Sequence, residues 1–528
     1  MEIISNLVLG FDQALTFTNL IYCFIGVFLG TIVGVLPGLG PVATIAMLLP
    51  ITFQLPTISA LIMLAGIYYG AQYGGSTTAI LINVPGESSS VVTAIDGYQL
   101  ARQGKAGFAL FTAAVGSFFA GTISTFLIAG FAPPLAQVAL SFGPAEYFSL
   151  MVLGLAASVS LAHGSLIKAV AMVVLGLLLG TIGQDLYTGT PRFSLGNSDL
   201  ADGLEFVGLV MGLFGVGEIV RNLEDESERN ILAQKVRGLI PSRAEFLSTI
   251  APILRGTALG SFLGILPGGG AMLASFAAYS FEKRVAKDPT RFGKGAIEGV
   301  AGPESANNAG AQTSFIPMLT LGIPSNPVMA LMIGAMIIQG IVPGPNVVTE
   351  KPELFWGIIA SMWVGNVMLL ILNLPLIGIW VKFLTVPYHV LFPGIMAVCC
   401  IGVYSVSNNP FDVYTMAFFG VIGYMLVKLD CEPAPLILGF VIGRMLEEYL
   451  RRAMLLSRGD PMTFFQRPIS AVLLLMSLAL LVILVLPAVK RKREEVALNL
   501  RDQDVDIHGS ILGLVITVRP IRRKAFPF

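Results

Sequence analysis

The chain has few charged residues, few cysteines and no run of metal-ligating side chains, and each shortage excludes a class of protein. Charged residues make up 12% of the 528 positions and hydrophobic ones 55%, whereas a soluble domain carries about 25% charge. The formal net charge is zero, so we expect no nucleic-acid partner. Cys23, Cys399, Cys400 and Cys431 lie in or beside apolar stretches without disulfide or metal spacing. We therefore expect buried thiols and no metal site.

Motifs for catalysis and for nucleotide binding are also missing. The sequence contains no HExxH, no GxGD and no GxxxxGK[ST] segment, and it has only three histidines. An intramembrane enzyme is therefore disfavoured, as is ATP-driven transport by this chain alone. We expect no catalytic residues and no organic cofactor.

Long apolar segments are what the chain has in abundance. FTAAVGSFFAGTISTFLIAGFA (111–132) and ISAVLLLMSLALLVILVLP (469–487) are long enough to cross a hydrocarbon core about 30 Å thick. At roughly 20 residues per crossing, about eleven to fourteen such segments fit in the chain, some of them re-entrant. The sequence predicts an all-α polytopic protein solvated by the lipid bilayer.

Two blocks of sequence occur twice, in the same order. Residues 26–41 match residues 256–271 at a constant offset, and both contain glycines spaced four apart that end in Leu-Pro-Gly. GAQYGGSTTAILINVPGES (70–88) resembles GAQTSFIPMLTLGIPSNP (310–327). We interpret this as a duplication. The predicted divisions are an N-terminal membrane repeat (1–220), a charged cytoplasmic linker (221–250), a C-terminal membrane repeat (251–450), a loop with a final apolar helix (451–490) and a polar tail (491–528).

Lysine and arginine in short loops predict how the two repeats are oriented. Basic residues cluster in 221–245 and in 283–294, and again at Arg102 and Lys105. If all these loops are cytoplasmic, the first hairpin begins and ends outside and the second inside. The repeats are then inverted, as in many secondary transporters. We also place the arginine-rich stretch 444–467 in the cytoplasm, and leave the side of the C-terminal tail open.

The Leu-Pro-Gly breaks predict a binding region. Irregular backbone at membrane depth needs cover by protein or a water-filled cavity. A broken helix frees N–H groups that suit a carboxylate and carbonyls that suit an alkali cation. The candidate substrate-binding residues are uncharged groups at or after the breaks: Gly38, Leu39, Gly40, Ser76, Thr77, Thr78, Asn83, Gly86, Gly268, Gly269, Gly270, Asn307, Asn308, Gln312, Thr313, Ser325 and Asn326. The alternative is that the glycines serve close helix packing and the prolines mark kinks.

Acidic residues within apolar surroundings are functional candidates by default. Glu87 follows NVPG, and Glu304 lies in GPESANNAG. Either carboxylate could attract a coupling cation, although Glu304 could instead be a solvated partner of Lys294. Asp96 and Arg102 are expected in a loop.

Several long blocks resemble one transporter family. GVLPGLGP, YYGAQYGGSTTAILINVPGE, GILPGGG, GPESANNA, LTLGIPSNP and MLEEYLRRAMLLSRGD are similar to the large membrane subunit of tripartite tricarboxylate transporters, over about residues 1–490. The resemblance implies a multi-pass permease of the bacterial inner membrane that works with a small membrane subunit and a periplasmic solute-binding protein. It also implies uptake of tricarboxylates or related carboxylates, coupled to a cation that is most often Na⁺, by an elevator-type movement.

The preferred hypothesis is accordingly a cation-coupled secondary transporter whose two broken hairpins bind a carboxylate. The alternative is a channel that conducts small anions without ion coupling, which would need a continuous polar pore. The substrate, the stoichiometry of the ion and the oligomeric state are not predicted by the sequence.

Overall fold

The protein is described by a computed structural model over residues 2–36, 40–161, 165–185, 187–224, 238–266, 270–383 and 388–485. These ranges form helices α1 (Glu2–Ala14), α2 (Phe17–Val35), α3 (Pro41–Thr52), α4 (Thr57–Ile82), α5 (Val91–Arg102), α6 (Ala106–Leu140), α7 (Pro144–Leu161), α8 (Leu166–Gly180), α9 (Ser198–Ala201), α10 (Phe206–Val210), α11 (Gly217–Glu224), α12 (Arg243–Ile265), α13 (Gly270–Val285), α14 (Glu298–Thr313), α15 (Phe315–Leu321), α16 (Pro327–Ile338), α17 (Asn346–Glu350), α18 (Pro352–Asn373), α19 (Ile377–Phe383), α20 (Tyr388–Ser407), α21 (Pro410–Lys428), α22 (Ala434–Leu456), α23 (Thr463–Gln466) and α24 (Pro468–Val485). Short 3₁₀ turns occur at Ser88–Ser90 and Pro289–Arg291, and a π-helical segment, Met211–Val216, joins α10 to α11. Strands β1 (Gly183–Gln184) and β2 (Pro191–Arg192) pair antiparallel in one small hairpin.

Six of the described helices are long and apolar enough to cross a membrane: α2, α6, α12, α18, α21 and α24. Shorter apolar helices accompany them, among them α3, α8 and α16. The predicted all-α polytopic membrane protein is confirmed. The polar tail 491–528 and residues 225–237 of the charged linker lie outside the described residues. Two of the cysteines, Cys23 and Cys399, are buried thiols, and Cys400 and Cys431 are half-buried.

The glycines spaced four apart bring helices into backbone contact in both halves of the chain. Along α2, Gly26, Gly30 and Gly34 lie against the carbonyls of Met63, Ile67 and Ala71 in α4. Along α12, Gly256, Gly260 and Gly264 lie against the carbonyls of Gly302, Ala306 and Gly310 in α14. A Cβ at Gly30 would lie 2.5 Å from the Ile67 oxygen, so there is no room for a side chain. The glycine ladders are packing faces, whatever else the breaks that follow them do.

Two helices form the centre of the molecule. Every residue of α4 from Ser59 to Leu81 is buried, and so is every residue of α14 from Gly299 to Thr313. Apolar side chains such as Phe315 and Trp356 complete the core around them. Because polar side chains on α4 and α14 are shielded from water, each one needs a partner inside the protein. This requirement determines where the candidate site lies.

The two ends of α6 lie on opposite sides of the membrane if this helix crosses it, as its length and composition indicate. This helix has 35 residues and is therefore about 50 Å long, more than a bilayer core. At its start, Gln103 donates to the carbonyl of Lys294 at 2.8 Å, so two of the basic loops lie on one side as predicted. At its other end, Arg467 pairs with Glu146 at 3.1 Å. The stretch around Arg467 is therefore on the side opposite to Lys105.

This arrangement is at odds with the prediction that 444–467 lies with the other basic loops, and part of the reason lies in the length of α22. That helix continues to Leu456, so Arg444, Arg451 and Arg452 are helical residues and do not belong to the loop that the orientation rule counts. Arg451 bonds Asp185 at 2.7 Å. Hydrogen bonds from the Thr188 backbone and from Arg451 hold the pKa of Asp185 well below its usual range. The β1–β2 hairpin is thereby attached to α22, on the side opposite to Lys105.

This sidedness can be measured by labelling single cysteines. With the four native cysteines replaced, Met462→Cys and Lys105→Cys each place one thiol at an exposed position. We expect a membrane-impermeant maleimide to label Met462→Cys from the outside of intact cells, and Lys105→Cys only in inverted vesicles. Labelling of both positions from the same side would overturn the assignment.

Candidate functional site

The chain breaks after α4 and after α15 with the same backbone conformation. Asn83 and Gly322 both take left-handed φ values, 59° and 71°. In each half an apolar residue and a proline follow, and then an extended residue, Glu87 at φ −153° or Asn326 at φ −155°. Each of these residues caps the helical turn after it, and Asn326 Oδ1 accepts from the Met329 N–H at 3.0 Å. The first N–H groups after both breaks are therefore bonded by side chains of the chain itself.

The first break is held by three backbone segments that meet at Gly86. The Gly86 N–H donates to the Gly75 carbonyl at 3.4 Å. A Cβ at Gly86 would overlap the Gly34 oxygen and lie 2.6 Å from the Gly75 Cα. Thr78 Oγ1 closes the group by donating to the Gly75 carbonyl at 2.9 Å. The end of α2, the middle of α4 and the break thus form one compact unit.

Glu304 is fully buried at the contact of α4, α5 and α14. Its carboxylate accepts hydrogen bonds from the Ser76 and Thr93 hydroxyls and a longer one from Asn307 Nδ2 at 3.4 Å. Each of these donors is uncharged. The reading of Glu304 as a solvated partner of Lys294 is wrong, because the side chain points into the core. This carboxylate joins the central helix of the second half to two helices of the first.

Glu87 lies next to the same face of α4. Its carboxylate accepts from the Ser89 hydroxyl, which also lies 2.7 Å from Gln72 Oε1. Ser275 of α13 donates to the Ser89 carbonyl at 2.7 Å, which ties the second hairpin to the first break. One turn further along α4, Ser76 Oγ is 2.9 Å from the Gln72 carbonyl. Residues one turn apart on α4 therefore contact both acidic candidates.

The second break has its own polar group. Asn326 Nδ2 donates to Tyr68 Oη at 3.3 Å and to Ser314 Oγ at 3.1 Å. A Cβ on Gly270, at the start of α13, would lie 3.2 Å from the same nitrogen. Gln312 Oε1 and Ser325 Oγ are buried and have no hydrogen-bond partner among the described residues. Buried polar atoms normally find partners, so these two oxygen atoms are available to a ligand.

The other predicted residues are placed as follows. Asn308 donates to Ser117 Oγ at 2.7 Å, beside the Glu304 group. Thr313 bonds the Ala309 carbonyl of its own helix at 3.0 Å, and Thr77 that of Tyr73 at 3.5 Å. A Cβ on Gly40 would meet nothing within 4 Å, so the start of α3 is open, and Asn83 is half-buried at its break. Gly38, Leu39, Gly268 and Gly269 lie outside the described residues.

Sequence reasoning missed several polar residues that complete the site. Gln72 and Tyr73 lie inside a block that was recognised as repeated, but Thr93, Ser117 and Asn373 are isolated polar residues within apolar helices. A small cavity of about 10 Å³ lies beside the Glu304 group; it is lined by Tyr73, Ser76, Thr77, Leu110, Ala113, Ala114, Ser117 and Asn373. A single buried polar residue in an apolar run was the available signal for Ser117 and Asn373.

Asp96 is also not where the sequence placed it. It is a fully buried residue of α5, whereas a loop position was expected. Its Oδ1 accepts the N–H groups of Gly293, Gly295 and Ala296, each at 2.8 Å, and Oδ2 accepts the Tyr279 hydroxyl at 3.0 Å. One carboxylate thus fixes the α13–α14 connection of the second half onto the first half.

We expect Asp96→Ala to destabilise the protein by about 3 kcal/mol, because the buried Ala296 N–H, the Gly293 and Gly295 N–H groups and the Tyr279 hydroxyl lose their acceptor at once. The measurement is the thermal unfolding midpoint in detergent. Asp288→Ala is the matched control, since Asp288 caps an exposed 3₁₀ turn by accepting from the Thr290 N–H at 3.0 Å. Equal midpoints for the two variants would contradict the role given to Asp96.

The fold and this polar cluster define a class: a multi-pass helical membrane protein with hydrogen-bonding groups buried where its helices break. The family model described as Tripartite tricarboxylate transporter TctA family matches residues 20–438. The chain belongs to this family, which is one of transporters and not of enzymes. The predicted resemblance is confirmed.

Two relatives from Agrobacterium vitis are similar to the chain. One, described as an uncharacterized 52.8 kDa protein in the TAR-I ttuC' 3'region, is 63% identical over 496 residues, which cover 94% of this chain and 99% of the relative. The other, an uncharacterized protein in the TAR-II ttuC' 3'region, is 63% identical over 237 residues, which cover 45% of this chain and 98% of the relative. No solved structure matches the chain.

Proposed function

We propose that the chain is the permease subunit of a binding-protein-dependent secondary transporter that imports tricarboxylates or related carboxylates with Na⁺ across the bacterial inner membrane. Membership of the tripartite tricarboxylate transporter family supports the class of substrate and the presence of a small membrane subunit and a periplasmic binding protein as partners. The buried group around Glu304 and the two breaks is the observation that supports transport through this chain.

The two halves are proposed to be inverted repeats. The similar backbone at the two breaks supports a duplication, as do the glycine ladders that pack on α4 and α14 with the same four-residue spacing. The inversion itself depends on the predicted orientation of the basic loops. Inverted repeats supply two related packings of one site, which is what alternating access requires.

The chemistry of substrate binding follows from the groups at the second break. A carboxylate accepts hydrogen bonds from backbone N–H groups, hydroxyls and amides. The Ser325 hydroxyl and the N-terminus of α13 at Gly270 offer such donors within one region, whereas the Asn326 amide already donates to Tyr68 and Ser314. The open start of α3 at Gly40 is the corresponding place in the first half. The first break is less suited, because the Glu87 side chain already caps the helical turn that follows it.

Movement is part of the proposal, because the cavity beside Glu304 has a volume of only about 10 Å³. That volume accommodates about one water molecule, so a tricarboxylate enters this region only if helices separate. In an elevator-type movement the unit of α2–α5 and α12–α16 would shift against the other helices. The contacts between Ser275 and Ser89 and between Asn326 and Tyr68 would hold that unit together.

Uptake into proteoliposomes tests the proposal. The chain is reconstituted with its small subunit, and labelled citrate or a panel of mono- and dicarboxylates is supplied, with or without a Na⁺ gradient and the binding protein. We expect saturable accumulation only when the gradient and the binding protein are both present. Gradient-independent flux without the binding protein would support the channel alternative and overturn the proposal.

A further inference from the structure

The small cavity between α4, α6 and α18 is lined by hydroxyl groups, each of which has a hydrogen-bond acceptor within the protein. Tyr73 Oη donates to Asn366 Oδ1 at 2.8 Å, and Thr77 Oγ1 donates to the Tyr73 carbonyl at 3.5 Å. Ser76 has one proton, which is committed either to the Gln72 carbonyl or to Glu304. Ser117 Oγ donates to the Glu304 carbonyl at 3.4 Å. The lone pairs of these hydroxyl oxygen atoms, and not their protons, are therefore available to a ligand inside the cavity.

Asn373 supplies a second, independent observation. Its Nδ2 donates to the Leu369 carbonyl at 3.0 Å, whereas its amide oxygen accepts no hydrogen bond from the described residues. That oxygen is buried, although the residue lines the cavity. An unpartnered buried carbonyl oxygen is costly. The cavity therefore offers acceptors to whatever occupies it.

The carboxyl group of Glu304 lies directly behind this wall of oxygen atoms. The Glu304 carboxylate accepts from Ser76, and the Glu304 carbonyl accepts from Ser117. No Lys, Arg or His is among the described partners of that carboxylate. Acceptors on the wall, a nearby carboxylate and space for one water-sized body together favour a small cation. In the described part of the chain, no three His, Cys, Asp or Glu side chains come together as a set that could hold a metal ion. Neutral oxygen atoms with a single carboxylate suit a monovalent ion better.

We propose that this cavity binds one dehydrated Na⁺ through Asn373 Oδ1 and the oxygen atoms of Ser117, Ser76, Thr77 and Tyr73, with Glu304 as the counter-charge. The site rests on the proposed function in that it would hold the coupling ion. It connects α4 with α6 and α18, so binding and release of the ion bias how these helices pack. Neither Asn373 nor Ser117 was a candidate from the sequence, and the substrate region at the second break is a separate place.

The test measures Na⁺ binding without substrate or transport. The full chain is purified in detergent, and its unfolding midpoint is followed against NaCl with choline chloride holding the ionic strength constant. KCl and LiCl series report the selectivity. The variants are Asn373→Leu, which replaces the unpartnered oxygen by a methyl group in a side chain of the same branching, and Ser117→Ala. Ser124→Ala is the matched control, because Ser124 is a buried serine of the same helix that bonds Ser261 Oγ at 3.0 Å, away from the cavity.

We expect Na⁺ to raise the midpoint of the unmodified chain and of Ser124→Ala with the same half-saturating concentration. For Asn373→Leu and Ser117→Ala, that concentration should rise by about 10- to 100-fold. Two results would overturn the site. The first is a half-saturating Na⁺ concentration that is the same in both cavity variants as in the unmodified chain. The second is an unfolding midpoint of the unmodified chain that does not respond to Na⁺, which would mean that the cavity holds only water. Failure of the proposed function is a different observation, namely Na⁺ stabilisation of this pattern in a protein that accumulates no carboxylate.

Discussion

Gly86→Ala is expected to abolish uptake and to lower the unfolding midpoint strongly, because the added methyl group overlaps the backbone of two other segments. The added Cβ would overlap the Gly34 carbonyl oxygen and lie 2.6 Å from the Gly75 Cα. Neither obstacle is a flexible side chain, so α2 or the break itself must shift. Overpacking of this kind costs about 3 kcal/mol, and here it also removes the register between the hairpin and α4.

The matched control is Gly130→Ala. Gly130 is a residue of α6 whose added Cβ would meet nothing within 4 Å, and alanine is the better helix former there by about 1 kcal/mol. We expect Gly130→Ala to unfold at the same temperature as the unmodified chain or slightly higher, with normal uptake. If Gly86→Ala matched Gly130→Ala in both measurements, the compact unit at the first break would be disproved.

The elements that sequence reasoning predicted well are those determined by local pattern. Apolar runs predicted the crossing helices, and the repeated Leu-Pro-Gly and Pro-containing blocks predicted where the chain breaks. Ser76, Asn307 and Asn308 were also chosen from the sequence, and they do meet at Glu304. They could be chosen because uncharged polar groups in buried helices must cluster with one another.

The elements that sequence reasoning missed depend on contacts between distant segments. Asp96 lies in a short polar stretch that reads as a loop, and its burial comes from N–H groups almost two hundred positions away. Asn373 and Ser117 become neighbours only when α6 and α18 pack together. The placement of the arginine-rich stretch did not allow for α22, which extends further than its composition indicates. In each case the partner is remote in sequence, and no local periodicity reports it.

The hydrogen bonds of the Glu304 carboxylate depend on how the two halves of the chain pack together. The residue belongs to α14, but Ser76 and Thr93, which donate to it, belong to α4 and α5. All three helices belong to the proposed moving unit, so the carboxylate stays with both hydroxyls when that unit shifts against α6 and α18. The same shift would separate the α4 side of the cavity from Ser117 and Asn373. A cation bound there therefore links the movement of the unit to the ion.

Glu304→Gln is the variant that isolates this charge. Glutamine has nearly the same shape and keeps one carbonyl oxygen to accept a hydroxyl, so we expect the unfolding midpoint to stay close to that of the unmodified chain. Removing one partner of a buried ion pair costs about 3–5 kcal/mol, and here the pair with the cation exists only in the ion-bound state. We therefore expect cation-driven accumulation to fall by at least about 100-fold, since 1.4 kcal/mol corresponds to a factor of ten.

Substrate exchange gives the decisive comparison. The vesicles contain unlabelled carboxylate, and no ion gradient is applied. Exchange requires only that the transporter moves between its two access states with substrate bound, so we expect the Glu304→Gln variant still to exchange external for internal substrate. Loss of accumulation with retained exchange would show that Glu304 serves coupling and not substrate binding. Loss of both accumulation and exchange, with a normal unfolding midpoint, would instead place Glu304 in the substrate site. If the variant accumulates substrate with its full dependence on the cation, Glu304 has no part in coupling.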